Sequence, residues 1–285
     1  MVKQIMRVFP RKTSATPDDE LVRINCGPGL LGTGVDEIHI SVSFSWDLPR
    51  AEALAKMWRS VAPVKIGGPA TGQRSEEFVP GMYVRKGKVV TSRGCPNKCW
   101  FCSVWKREGG IRELPIHDGF DVLDDNILAC SDKHIDAVFS MLRRQKEPVK
   151  FTGGLEAAIL KEWHVRELGK IKLHSAYFAY DTPNDLEPLQ KAGRMLVEGG
   201  LLKANGDVFR CFVLAGYPKD TFGDAETRVR QTTAAGFVPF VMLYRGEDGE
   251  VRSNSWKDFR SRWGPGANRI VTRSICWMDR AHLFE

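Results

Sequence analysis

The sequence predicts an α/β protein: a partial (β/α)6 barrel over residues 88–244, preceded by a small α/β region over residues 1–87 and followed by a C-terminal cap or tail over residues 245–285. Two observations carry this expectation. Through the middle of the chain, apolar runs of strand length alternate with helix-like segments, the rhythm of parallel strands joined by right-handed helical crossovers. A length of 285 residues, with 42% hydrophobic and 27% charged side chains, accommodates one large α/β domain plus an appendage. The same figures exclude wholesale disorder and a disulfide-stapled miniprotein.

In chain order, residues 38–46 alternate Ile38, Ile40, Val42, Phe44 and Trp46 with His39, Ser41, Ser43 and Ser45, the period of a half-buried strand. His39 is expected to face the surface beside Ser41 and Ser43. Pro49 suits a first helical turn, after which Ala53, Leu54, Met57, Trp58 and Val61 recur on one helical face. Residues 64–66 run into Gly67, Gly68 and Pro69 as a short parallel strand ending in a turn. From residue 88 onward the expected strands are 89–92, 120–124, 149–152, 175–180, 208–215 and 238–244. The expected helices are 131–145, 155–168, 186–198 and 224–235, the first capped by Ser131. Residues 106–118, with Gly109, Gly110 and Pro115, suit a loop or short hairpin. Beyond Arg245 the chain turns polar, and Trp256, Phe259 and Trp263 are spaced to pack a short helix on the main domain.

Lysine and arginine number 42 against 35 acidic residues, a net charge of +7 spread along the chain. This permits an anionic substrate and leaves a nucleic-acid partner open. No apolar run approaches the ~20 residues of a spanning helix, and the first residues lack the apolar core of a secretory signal. The expectation is a cytoplasmic protein with no membrane association.

Seven cysteines stand at 26, 95, 99, 102, 130, 211 and 276. Their odd number and uneven spacing do not match a secreted disulfide framework. Cys26, Cys130, Cys211 and Cys276 suit small buried hydrophobes. Cys95, Cys99 and Cys102 follow an apolar strand, so their thiols share one loop at its C-terminal end, where parallel α/β folds bind ligands. Two chemistries compete there. Three thiolates on a tight loop can hold three irons of a cubane cluster and leave one iron open. Structural zinc wants four closed ligands, and the nearest histidine, His117, is far along the chain. An enzyme with an iron-sulphur cluster therefore stands against a nucleic-acid-binding protein with a structural metal centre.

The spacing C-x3-C-x-aromatic-C, complete as Cys95, Cys99, Phe101 and Cys102, resembles the signature of the radical SAM superfamily. The resemblance covers residues 88–244. It implies that the three cysteines ligate a 4Fe-4S cluster, that S-adenosylmethionine chelates the fourth iron, and that its reductive cleavage yields a 5'-deoxyadenosyl radical that abstracts hydrogen from substrate. An electron donor such as flavodoxin or ferredoxin is implied with it.

Residue by residue, the resemblance places Phe101 in the cofactor site, and Asp124, Asp125 and Asn126 at the second strand end, facing the methionine amino group. At the third strand end it places Gly153 and Gly154, in a Gly-Gly-Leu-Glu run that departs from the family's Gly-Gly-Glu by Leu155. Asp181 and Thr182 would face the ribose, and Gly216 would lie near the adenine. Solvated turns and helix starts use the same residue types.

The N-terminal region resembles a shortened cobalamin-binding domain but lacks its Asp-x-His-x-x-Gly motif, so cobalamin is not expected. The substrate is expected to be a small molecule or nucleotide. Nucleic acid stays open because Arg245, Arg252, Arg260, Arg262, Arg269 and Arg273 interleave with Trp256, Phe259 and Trp263. That segment is expected either to close over the barrel mouth or to form a solvated cap.

Overall fold

The computed structural model describes residues 3–29, 34–203, 206–246 and 249–263. The protein is mixed α/β and contains two parallel sheets. The first is formed by β1 (Ile5–Phe9), β2 (Val22–Ile24), β3 (Glu37–Ser41) and β4 (Val64–Gly67), in the order β2-β1-β3-β4. Helix α1 (Leu48–Trp58) crosses from β3 to β4. It buries Ala51, Leu54, Ala55 and Trp58 against Met6, Val8, Ile38, Ile40 and Val42.

Two expectations change in this region, and β1 and β2 stand where the sequence predicts no strand. Strands β1 and β2 carry no clear apolar alternation, and Arg7 sits mid-strand. The Arg7 guanidinium is buried because it donates to the carbonyls of Gly81 (3.2 Å) and Met82 (3.0 Å) and pairs with Asp19. The strand expected over 38–46 stops at Ser41: Gly68 closes on Val42, whose N–H donates to Gly67 O, and the chain turns through Ser45–Asp47 into α1. His39 is not a partner of Ser41 and Ser43; its ring is held between Tyr83 Oη (2.5 Å) and Glu37 Oε2 (3.0 Å).

The second sheet begins with β5 (Lys88–Val89), after which come β6 (Ser92–Arg93), α2 (Val104–Glu108) and β7 (Arg112–Glu113). It continues with β8 (Asp121–Val122), α3 (Asp132–Arg143), β9 (Val149–Phe151), α4 (Glu162–Leu168) and β10 (Leu173–Tyr180). The last elements are α5 (Leu186–Glu198), β11 (Phe209–Ala215), α6 (Phe222–Ala234), β12 (Val238–Leu243) and α7 (Asn254–Trp263). The six strands lie in the order β12-β11-β10-β9-β8-β5, every pair parallel, so each follows its chain predecessor across the sheet. Strands β6 and β7 form a separate antiparallel pair that joins residues 92–93 to 112–113 across the cysteine loop, so the segment 106–118 pairs with a strand before the cysteines and not within itself.

Ser131 caps α3 by accepting from His134 N at 3.2 Å, as its position predicts. The strand expected over 89–92 is split, because Asp124 draws Thr91 and Ser92 away from the sheet. The helix expected over 155–168 is α only from Glu162. Before it, Leu155 N–H donates to Tyr177 O at 2.7 Å, which keeps the chain extended beside β10. Trp256, Phe259 and Trp263 of α7 are buried with Val213, Ala215, Val229 and Val241. No helix among the described residues is long and apolar enough to cross a membrane.

Candidate functional site

The loop that carries Cys95, Cys99 and Cys102 follows β5 and contacts residues that follow β8, β11 and β12. Its base is closed twice. Strands β6 and β7 pair there, and Cys95 N–H donates to Gly109 O at 3.1 Å. Gly94 makes this crossing possible: its φ is +89°, and a Cβ there would lie 2.2 Å from Gly110 O.

Inside the loop, Cys102 N–H and the Trp105 indole both donate to Cys99 O, at 3.1 and 3.0 Å. At the far end of α2 the Glu108 carboxylate is fully enclosed. It accepts from Ser75 Oγ (2.6 Å), Ser75 N (3.2 Å), Arg107 Nε (2.9 Å) and Arg112 (3.4 Å). The loop is thereby tied to the segment that leads out of the N-terminal region.

The three thiols are unpaired and partly exposed. Two N–H groups are directed at sulphur: Val104 N lies 3.5 Å from Cys102 Sγ, and Asn126 Nδ2 lies 3.5 Å from Cys95 Sγ. Burial, followed by the neighbouring Cys102 and Cys95, pushes the Cys99 thiol up to about 11. Cys102 is raised chiefly by burial. A bound cation reverses this effect, since metal binding displaces the thiol protons. Among the described residues, no three His, Cys, Asp or Glu side chains are grouped as ligands of one metal ion. Cys130 and Cys211 are buried as expected, Cys26 is exposed contrary to expectation, and Cys276 lies outside the described residues.

The acidic run after β8 divides into three roles. Asp124 is buried and accepts from Thr91 N (2.6 Å), Thr91 Oγ1 (2.6 Å) and Ser92 Oγ (2.7 Å), so its carboxylate clamps the foot of the thiol loop. Asp125 accepts from Gly94 N at 2.9 Å and faces Arg93. Burial raises both carboxyl groups. Asn126 donates through Nδ2 to Glu156 Oε2 at 2.5 Å, while its Oδ1 is buried without a partner. Glu156 was not among the residues expected at the site, although it closes the Gly-Gly-Leu-Glu run.

The glycines and the capping residues have definite local roles. A Cβ on Gly153 would lie 2.0 Å from Asp124 O, so Gly153 serves the crossing of two backbones, while Gly154 supplies φ +106° in the turn that follows. Asp185 accepts from Asp181 N, Thr182 N and Thr182 Oγ1 at 3.0, 2.7 and 3.0 Å, so Thr182 caps the 3-10 turn Pro183–Asp185 that leads into α5. The Asp181 carboxyl is raised to about 7, by burial first and then by Asp185. Gly216, at φ +77°, donates to Asp220 Oδ2 at 2.7 Å, and Arg228 pairs with the same aspartate. The Trp256 indole covers the turn, 3.1 Å from where a Gly216 Cβ would stand.

Beside Phe101, Trp100 is 52% exposed, and its ring lies 5.7 Å from Tyr217 and 5.6 Å from Tyr244. The C-terminal arginines do not gather. Arg245 stacks over Trp46, Arg252 donates to Tyr217 O and Asp220 O, and Arg260 and Arg262 are exposed on α7. Arg269 and Arg273 lie outside the described residues. Burial of its aromatic residues against β11, β12 and α6 puts α7 on the helical face of the sheet instead of across the strand ends.

No protein-family model matches the chain, and no curated protein matches its sequence.

Proposed function

We propose that the chain is a radical SAM enzyme in which Cys95, Cys99 and Cys102 hold a 4Fe-4S cluster at the mouth of a partial (β/α)6 barrel. The observation that carries this reading is the placement of three free thiols, spaced C-x3-C-x2-C, on one closed loop at the carboxyl ends of six parallel strands laid down in chain order. Trp100 supports curvature of the sheet. In a flat six-stranded sheet the edges stand about 24 Å apart, at about 4.8 Å per strand. The loop after β5 nevertheless touches Tyr217 and Tyr244, which follow β11 and β12.

The residues fit the cluster by their chemistry. Each thiolate of a cubane takes its own iron, so the sulphurs need not converge on one point as in structural zinc. The N–H groups aimed at Cys95 and Cys102 are of the kind that tune iron-bound thiolates. When bound, cluster and S-adenosylmethionine together supply a 5'-deoxyadenosyl radical, on reduction by a donor such as flavodoxin or ferredoxin.

The chain's own residues hold and shield. The orphaned Asn126 Oδ1 and the Glu156 carboxylate accept from the methionine ammonium. Asp181 accepts from a ribose hydroxyl. Phe101 and Trp100 exclude water from the strand ends. The substrate is a small molecule or nucleotide, and a reducing, cytoplasmic compartment keeps the neighbouring thiols unpaired.

Anaerobic reconstitution with ferrous iron and sulphide, followed by reduction with S-adenosylmethionine present, tests the reading. Oxygen-labile iron, acid-labile sulphide and 5'-deoxyadenosine support it. One zinc per chain with no 5'-deoxyadenosine overturns it in favour of a structural metal centre.

A further inference from the structure

Among the described residues, the helices packed on the six-stranded sheet lie on one face. Val89, Val122, Phe151, Phe178 and Cys211 point into the core with α3, α4 and α5, while Val213 and Val241 point toward α6 and α7. Alternation sends their neighbours to the other face. There Lys88, Asp121, Lys150 and Ser175 form one cross-strand row. Nearer the carboxyl ends, Tyr177 pairs with Arg210, Ala179 with Phe212, Phe212 with Phe240 and Leu214 with Met242.

This face is chemically divided. On β10 to β12 it is aromatic and apolar except for Arg210, which donates to Tyr177 Oη at 3.0 Å. Tyr177 and Phe212 stack at 4.6 Å, Phe240 meets both edge-on, and Met242 is 45% exposed. On β5 to β9 it is polar. Lys88 pairs with Asp121, whose other oxygen accepts from Thr152 Oγ1 at 2.6 Å. Both Asp121 oxygens are thus taken, by Lys88 and Thr152, and the Lys150 ammonium, in register with Asp121, has no hydrogen-bond or ion-pair partner among the described residues. An ammonium with no carboxylate of its own can donate to an anionic ligand.

We propose that this face binds the substrate of the reaction proposed above, and that the substrate is a small anion bearing a flat apolar group. The apolar group lies on Phe212, Phe240 and Met242 beneath the thiol loop, and the carboxylate or phosphate is held by Lys150. Four residues along the strand separate the Lys150 row from the Phe212 row, about 13 Å at 3.3 Å per residue. The reach of a lysine side chain shortens this to the span of a substituted aryl acid or a mononucleotide.

The inference rests on the radical SAM reading for the reaction, but its test does not need the cluster. Phenylpropionate, phenyl phosphate and uncharged phenylpropanol are titrated calorimetrically into the full-length protein, into Lys150→Gln and into Met242→Glu. At least one of the two anions should bind, about tenfold or more weakly to Lys150→Gln, and which anion binds tells carboxylate from phosphate. Phenylpropanol should not distinguish Lys150→Gln from the parent, and Met242→Glu should weaken all three. Circular dichroism establishes that both variants are folded. Failure of both anions to bind, or affinities unchanged in Lys150→Gln, overturns the proposal. Lys150-dependent binding in a protein that forms no 5'-deoxyadenosine upholds the surface and overturns only the reaction.

Discussion

Asn126 reaches Glu156 across two strand ends: its amide nitrogen donates to Glu156 Oε2 at 2.5 Å and leaves Oδ1 buried without a partner. This buried acceptor, 31 positions from Cys95 in sequence, has its Nδ2 3.5 Å from the Cys95 sulphur, and the proposed reading gives it the ammonium beside the loop. Asn126→Ala and Glu156→Gln should each weaken S-adenosylmethionine binding to the reconstituted protein about tenfold or more, measured by equilibrium dialysis. Asp124→Asn should act differently, by lowering thermal stability, because its carboxylate holds Thr91 and Ser92.

Cys95→Ala, Cys99→Ala and Cys102→Ala should each abolish iron retention after anaerobic reconstitution. Cys130→Ala and Cys211→Ala should keep it, since both thiols face the core and burial raises them, Cys130 to about 11. Iron and sulphide per chain provide the measurement. A triple replacement at 95, 99 and 102 that kept its cluster spectrum would refute the ligand assignment.

Glu108→Ala should loosen the thiol loop from below. It leaves Arg107 and Arg112 without their shared carboxylate and Ser75 without its acceptor, a loss of about 3 kcal/mol by analogy with broken buried pairs. Urea denaturation reads the stability. Alkylation of Cys99 and Cys102 in the metal-free protein should accelerate in parallel; an unchanged rate would show that α2 is held by other contacts.

His164 should make the protein acid-sensitive. Burial, with Lys161 next, lowers its imidazole from 6.5 to about 4; Nδ1 accepts from Lys161 N and Nε2 is buried without a partner. Because the unfolded chain protonates near 6.5 and the folded chain resists until about 4, the stability that depends on a neutral ring is fully present above the unfolded value. It is lost progressively as pH falls through this window, by up to about 3 kcal/mol. Denaturant midpoints at pH values across the window should fall in the parent and vary less in His164→Gln.

The sequence by itself determined what short-range pattern encodes. Leu186–Glu198 forms the expected helix because its apolar positions repeat at helical spacing, and β10, β11 and β12 fall where β-rich apolar runs stand. The cysteine spacing is equally local, so the thiol loop was legible before any fold. Tertiary structure alone decided the rest, since each case depends on a distant partner.

Arg7 can sit inside β1 only because the carbonyls of Gly81 and Met82 meet its guanidinium. Asp124, Asp125 and Asn126 look interchangeable in sequence, yet the local chain direction turns the first under the loop and the third toward Glu156. Cys26 is exposed although its residue type favours burial. Lys150 is one lysine among many until sheet register sets it beside an aspartate already held by Lys88 and Thr152. Secondary structure follows side-chain periodicity along a few residues, whereas burial, pairing and the orphaning of a polar group are properties of chain segments brought together by folding.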